Sequence, residues 1–321
     1  MAVLPMYEYL MYAAYFAPRG KQRLLNLGNN IGQRYLSPED RIIGLIGDAG
    51  AGKSLLIRGM FPGLELTNDD DGINVRPLPL IRDWEQGHFR TRTYHLDVRF
   101  ETAFTQLWQI AEAVKAAVRA GRRVVIEHFD LLYQALGFNA EILIGVGEEV
   151  IVTRPGVFGP YPQDIAKIVF RSLKYRKMAH SAEDLVAMVL EEMGLKKPEV
   201  HSDIKHGFVL EFAEKPNIDL AEVERKVNEL IAKDLPICYH GEDHIKVGEE
   251  VRECTGPRIH MKRTGEIQGF HLLKEFRWDP VRKLYVVAGL VGRREENPFA
   301  RTYLDEFMII PLEEAREWDK G

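Results

Sequence analysis

Eight consecutive residues, Gly47, Asp48, Ala49, Gly50, Ala51, Gly52, Lys53 and Ser54, follow the pattern G-x-x-x-x-G-K-[ST] without a departure. In that pattern the glycines let backbone N–H groups turn inward around phosphates. The lysine reaches the β- and γ-phosphates, and the serine hydroxyl ligates Mg²⁺. The chemistry expected is binding of a nucleoside triphosphate, ATP or GTP, together with Mg²⁺. Such a site also needs an acidic residue on a neighbouring strand. Glu127 closes the apolar run Val124, Val125, Ile126 and is the first choice, with Asp130 next; a carboxylate capping a helix is the other reading of Glu127. The acidic run Asp69, Asp70, Asp71 ahead of Gly72 could hold metal or act as a base on a substrate hydroxyl, with Asp70 in that catalytic role. The same Asp-Gly step also forms an ordinary turn. Arg90, Arg92, His95 and Asp97 either face the phosphates or belong to a solvated face.

The elements that must position these groups read as an α/β unit. Residues 41–46 are a short run rich in β-branched side chains that ends at the glycine turn, the mark of a buried parallel strand. A helix is expected from Lys53. Residues 93–98 read as a strand and residues 101–120 as a helix that stops at Gly121. Residues 122–126, 142–146 and 150–153 read as three further strands. Strands alternating with helices imply a parallel sheet covered on both faces. Ahead of them, residues 1–17 carry an aromatic stripe expected on a core-packed helix, and a second helix is expected over residues 21–36.

Beyond Arg154 the pattern changes. Pro155, Gly156, Gly159, Pro160 and Pro162 are loop composition. A helix over residues 181–194, a strand over 207–213, a helix over 219–233 and strand-like runs such as 283–290 suggest a separate α+β domain. The expected division is residues 1–160 and 161–321. Lys167, Arg171, Lys174, Arg176 and Lys177, with Tyr175 among them, are the densest basic stretch. They form either an approach surface for RNA or a solvated helix face.

The chain has 321 residues, 28% of them charged, and a formal net charge of -5. A protein that coats nucleic acid is usually basic, so any RNA contact must use a local patch. Cys238 and Cys254 are the only cysteines, too few for a disulfide framework and suited to a reducing, cytoplasmic setting. Residues 1–17 lack a basic lead and contain Glu8, so neither an export signal nor a membrane span is expected there.

The strand, glycine loop and helix, the acidic run at Asp69, Asp70 and Asp71, and the hydrophobic strand ending in an acid resemble the P-loop kinase group that includes uridine kinases. This resemblance covers residues 40–150 and implies an ATPase or kinase whose acceptor is not specified. The Gly-Asp-x-Gly-Ala-Gly-Lys form also occurs in small ATPases of tRNA modification. In the second half, Cys254, His260, Thr264, Gly265 and Ile267 resemble a Cys-x-x-x-His…Thr-Gly-x-Ile segment. That segment belongs to the second additional domain of alanyl- and threonyl-tRNA synthetases and of free-standing alanyl-tRNA editing proteins. His180 and Asp184 stand where that family carries His-x-x-x-His. The resemblance spans residues 178–275 and implies Zn²⁺ on His180, Asp184, Cys254 and His260, with tRNA or an aminoacyl ester as the partner. Two departures are visible: Asp184 replaces a histidine, and two extra residues separate Cys254 from His260. His201 and His206 are alternative ligands. The resemblance therefore leaves two readings, a zinc-dependent deacylase regulated by nucleotide and an inherited recognition fold without metal. A non-catalytic binding module is a third.

Overall fold

A computed structural model describes residues 12–67, 78–195, 200–254, 256, 258–292 and 310–311, with the backbone alone for residues 200–202 and 310–311. The acidic run 69–71 and residues 1–11 lie outside the described residues. The chain divides into two compact units, residues 1–173 and 174–321.

In the first unit β1 (Ala13–Phe16) leads to α1 (Lys21–Tyr35), β2 (Ile42–Ile46) and α2 (Lys53–Met60). Then come α3 (Pro79–Glu85), β3 (Thr93–Asp97), α4 (Val98–Glu101), α5 (Leu107–Arg119) and β4 (Arg123–Glu127). The unit continues through α6 (Phe129–Leu136), β5 (Ile142–Val146) and β6 (Glu149–Thr153) into the long helix α7 (Pro162–Glu192). Six strands form one sheet in the order β1-β6-β5-β2-β4-β3. The four from β5 to β3 run parallel.

Successive side chains of a strand point to opposite faces, and the buried residues of this sheet divide that way. Ile43, Leu45, Val125, Ile142 and Ile144 join the cluster with Leu24, Ile31, Leu56 and Ile57 from α1 and α2. Ile42, Ile46, Val124, Ile126 and Leu143 join the cluster with Ile110, Val114, Phe129 and Leu132 from α5 and α6. Each buried aliphatic side chain contributes about 1.5–3 kcal/mol, so both faces hold the strand ends in place. Helices α1 and α2 press together closely: a Cβ on Gly28 would stand 2.3 Å from the Leu56 carbonyl oxygen, so no larger residue fits.

One side of the sheet and one helix differ from the expectation. Residues 13–16 are not helical; β1 pairs antiparallel with β6, Ala13 opposite Val152. The strand β6 itself turns back antiparallel on β5, Leu143 opposite Thr153. Adding β1 satisfies backbone groups that β6 would otherwise leave at a sheet edge. The expected helix over residues 101–120 is instead the short α4, a turn, and α5 from Leu107.

The second unit contains the C-terminal part of α7, then β7 (Val200–Ile204), β8 (Gly207–Phe212), α8 (Leu220–Ala232), β9 (Ile237–Tyr239), β10 (His244–Val247) and β11 (Glu250–Glu253). It closes with β12 (His271–Leu272), β13 (Arg277–Asp279), β14 (Leu284–Leu290) and β15 (Ile310–Pro311). One antiparallel sheet has the order β15-β13-β14-β8-β7 with β12 beside β14, and a second has β11-β10-β9. A core of Leu185, Val189, Phe208, Leu210, Val223 and Val227 joins α7, β8 and α8. The Asp219 side chain accepts from the Ala221 N–H and caps α8. The division between the units falls inside α7. That helix starts at Pro162, at the end of the loop composition, and runs to Glu192, where a helix was expected only over residues 181–194.

Candidate functional site

The parallel strands β2, β4 and β3 end side by side, and their C-terminal edge carries the glycine-rich turn. Gly52 caps α2 with φ 101°, a left-handed conformation that a side chain disfavours. Lys53 and Ser54 open α2 behind it. The Lys53 ammonium donates to the Gly47 carbonyl (3.1 Å) and the Asp48 carbonyl (3.0 Å), and lies 3.6 Å from Glu127 Oε2. Ser54 Oγ donates to Glu127 Oε1 at 2.9 Å. Lys53 is therefore buried, 4% exposed, rather than reaching outward as the motif alone suggests. The loop carbonyls and the Glu127 carboxylate together offset the cost of burying the ammonium.

Glu127 is the hub. His95 Nε2 lies 3.3 Å from its Oε1, while His95 Nδ1 accepts the Thr67 N–H at 3.1 Å. The second contact leaves Nε2 as the protonated nitrogen that donates to Glu127. Burial pushes the Glu127 carboxyl up; the His95 hydrogen bond, the Lys53 charge and the Ser54 hydroxyl outweigh it and hold its pKa down at about 2. The group is a carboxylate at neutral pH. With the Ser54 hydroxyl it forms an oxygen pair, the donor type Mg²⁺ takes.

Of the other groups named from sequence, Asp97 stands opposite Glu127 in the β3–β4 register, and its side chain accepts from the Phe100 N–H. Arg90 and Arg92 precede β3 and lie at its other end, where Arg90 pairs with Gln86. Asp130 makes no hydrogen bond or ion pair with Lys53 or Ser54 among the described residues, and burial raises its pKa. Arg99, which the sequence reading passed over, reaches Asp48 Oδ1 at 3.7 Å. So was His128, a buried residue at φ 57° whose ring stands with Asp97 and Glu127. Burial, then the Lys53 charge, lowers its pKa. The available signal was a polar residue directly after a strand-final acid.

In the second unit His180, Asp184, Cys254 and His260 come together, their ligand atoms all within 4.8 Å of one another. His180 and Asp184 lie one turn apart on α7. Cys254 follows β11 and is held by its N–H on the Asp243 carbonyl at 2.7 Å. Met261 N–H donates to Ser181 Oγ at 2.9 Å, which pins His260 against the helix. Cys254 Sγ lies 3.5 Å from His180 Nε2 and 3.8 Å from His260 Nε2, and His180 Nε2 lies 3.9 Å from Asp184 Oδ2. Ligands on one tetrahedral ion with bonds of about 2.0–2.3 Å stand about 3.3–3.8 Å apart, so these spacings suit a metal. The His260–Asp184 contact, at 2.7 Å, is a direct hydrogen bond. The Gly256 N–H points at Cys254 Sγ (3.4 Å) and supports a thiolate there. Of the alternative ligands, His206 stacks on Tyr175 with centroids 3.6 Å apart, away from the four, and the His201 side chain lies outside the described residues.

The basic stretch does not form one surface. Lys167, Arg171 and Lys174 are exposed, but Arg176 is 3% exposed and Tyr175 is buried. No helix among the described residues is long and apolar enough to cross a membrane. Compared with known proteins, the chain matches no family model, and no curated protein is similar to it in sequence.

Proposed function

We propose that the first unit binds a nucleoside triphosphate with Mg²⁺ and acts as an ATPase or kinase. The observation that carries this reading is the meeting of Lys53, Ser54 and Glu127 at the C-terminal edge of the parallel strands. Lys53 is poised to exchange the Gly47 and Asp48 carbonyls for the β- and γ-phosphate oxygens. The N-terminus of α2 adds its dipole behind the same anion. Ser54 and Glu127 would hold Mg²⁺, which when bound neutralises charge developing on the transferred phosphoryl group. Glu127, fixed by His95, orients the Ser54 hydroxyl and keeps the carboxylate aimed along the loop. The acceptor is water or a hydroxyl on tRNA, an aminoacyl ester or a related small molecule.

Glu127→Gln keeps the shape but loses the charge. Turnover of ATP is expected to fall about 10²–10⁴-fold while triphosphate affinity in Mg²⁺ changes much less. Steady-state ADP release and calorimetry on the same variant separate the two, and an unimpaired variant would move the acidic role away from Glu127.

A second reading is favoured by the His180, Asp184, Cys254 and His260 cluster: a Zn²⁺ centre that serves removal of a wrong amino acid from tRNA. Two imidazoles, a carboxylate and a thiolate are all Zn²⁺ donors. Four protein ligands complete a tetrahedron, so the ion would position a terminal nucleotide rather than activate water.

A further inference from the structure

We propose that Asp97, Glu127 and His128 bind a divalent transition-metal ion, Mn²⁺ in the first instance, at the edge of the nucleotide site. This deepens the triphosphate reading and takes its role from it. One ligand atom from each residue lies within 4.8 Å of the others, about the length of two metal–ligand bonds of 2.0–2.6 Å laid end to end. The two carboxylates come from paired strand ends, Asp97 opposite Glu127, so their spacing is set by the sheet.

His128 supplies the second, independent observation. The residue is 6% exposed, and its ring makes no hydrogen bond to any described residue. The ring is enclosed by protein, and one of its nitrogens stands within 4.8 Å of a carboxylate oxygen of Asp97 and of Glu127 without a hydrogen bond to either. Its backbone is left-handed, φ 57° and ψ 44° at the N-cap of α6, a conformation that histidine, asparagine and aspartate adopt more readily than other side chains. A ligand between the three side chains would satisfy the imidazole nitrogen.

The donor set says which ligand. Mg²⁺ takes oxygen and prefers to keep its waters, whereas imidazole suits transition metals. Two carboxylates with one imidazole suit Mn²⁺ and its neighbours in the series. The sulfur-bearing cluster at Cys254 suits softer ions. The two clusters thus differ in the metals they suit.

The test uses the full chain and Mn²⁺ alone. Pulsed electron paramagnetic resonance is expected to show bound Mn²⁺ coupled to a directly bonded nitrogen. His128→Gly, which keeps the left-handed backbone accessible, should lose that coupling and reduce the preference for Mn²⁺ over Mg²⁺ at least about tenfold. Added imidazole should restore both. His128→Asn, also at ease in this conformation, should bind through oxygen alone and shift toward Mg²⁺. His180→Ala should leave the signal unchanged. Absent coupling in the parent chain, coupling that survives His128→Gly, or coupling lost in His180→Ala overturns the proposal. Calorimetry with ATP is read separately. A chain that holds Mn²⁺ through His128 and ignores ATP sinks the triphosphate reading alone, and binding of ATP without nitrogen coupling sinks the ion site alone.

Discussion

Lys53→Ala is expected to remove triphosphate binding. A hydrogen bond to a charged group is worth about 1.5–3 kcal/mol, roughly a ten- to hundredfold loss of affinity for each phosphate contact removed. The same change has a structural cost, because Lys53 is buried against Glu127 at 3.6 Å. Removing one partner of a buried ion pair leaves the other uncompensated, although Ser54 and His95 still hold the carboxylate. Lys53→Ala should therefore melt at a lower temperature than the parent. The double variant Lys53→Ala with Glu127→Gln, which removes the stranded charge, should recover part of that loss but none of the binding. Calorimetry with ATP and GTP reads the first effect and circular dichroism the second. Full affinity in a folded Lys53→Ala chain would end the phosphate-loop reading.

The second large effect concerns the cluster at Cys254. Protein purified without chelator is expected to hold about one Zn²⁺ per chain. Cys254→Ser should weaken binding by more than about 100-fold, the upper end of what even supporting residues cost, since the thiolate is the strongest donor of the set. Chelation should also lower the melting temperature, as loss of any ligand that binds only the folded state does. Elemental analysis showing no metal, with stability indifferent to chelator, would make the second unit a recognition fold. With metal present, deacylation of mischarged alanyl-type tRNA becomes the activity to assay.

The candidate site around Lys53 was legible where local chemistry leaves few choices. Glycines around a lysine, between a β-branched run and a helix, have few other uses, and Glu127 could be named because it ends a buried strand. His128 follows that strand-final acid, a weak signal, and its placement depends on a left-handed turn (φ 57°) that the sequence does not specify. Lys53 differs from the outward lysine the motif suggests: its ammonium lies on the Gly47 and Asp48 carbonyls and beside Glu127, contacts that the motif pattern does not specify. The helix expected only from residue 181 starts at Pro162 for a different reason: it is half-exposed up to Lys174 and buried without exception from Ser181 to Leu190, so no single helical period marks the whole element. Residues 13–16 were taken for a helix from their aromatic stripe. Their pairing with β6 depends on a strand far along the chain. The Cys254 cluster joins residues 74 and 76 positions apart; only the resemblance to an editing domain brought them together on paper.

The most direct test of the central claim is a crystal structure of the full chain with Mg²⁺ and a non-hydrolysable ATP analogue. The γ-phosphate is expected beside the Lys53 ammonium, now released from the Gly47 and Asp48 carbonyls, with the metal on Ser54 and facing Glu127. An analogue bound elsewhere, or a Lys53 still folded onto Glu127 with the analogue in the crystal, would contradict it.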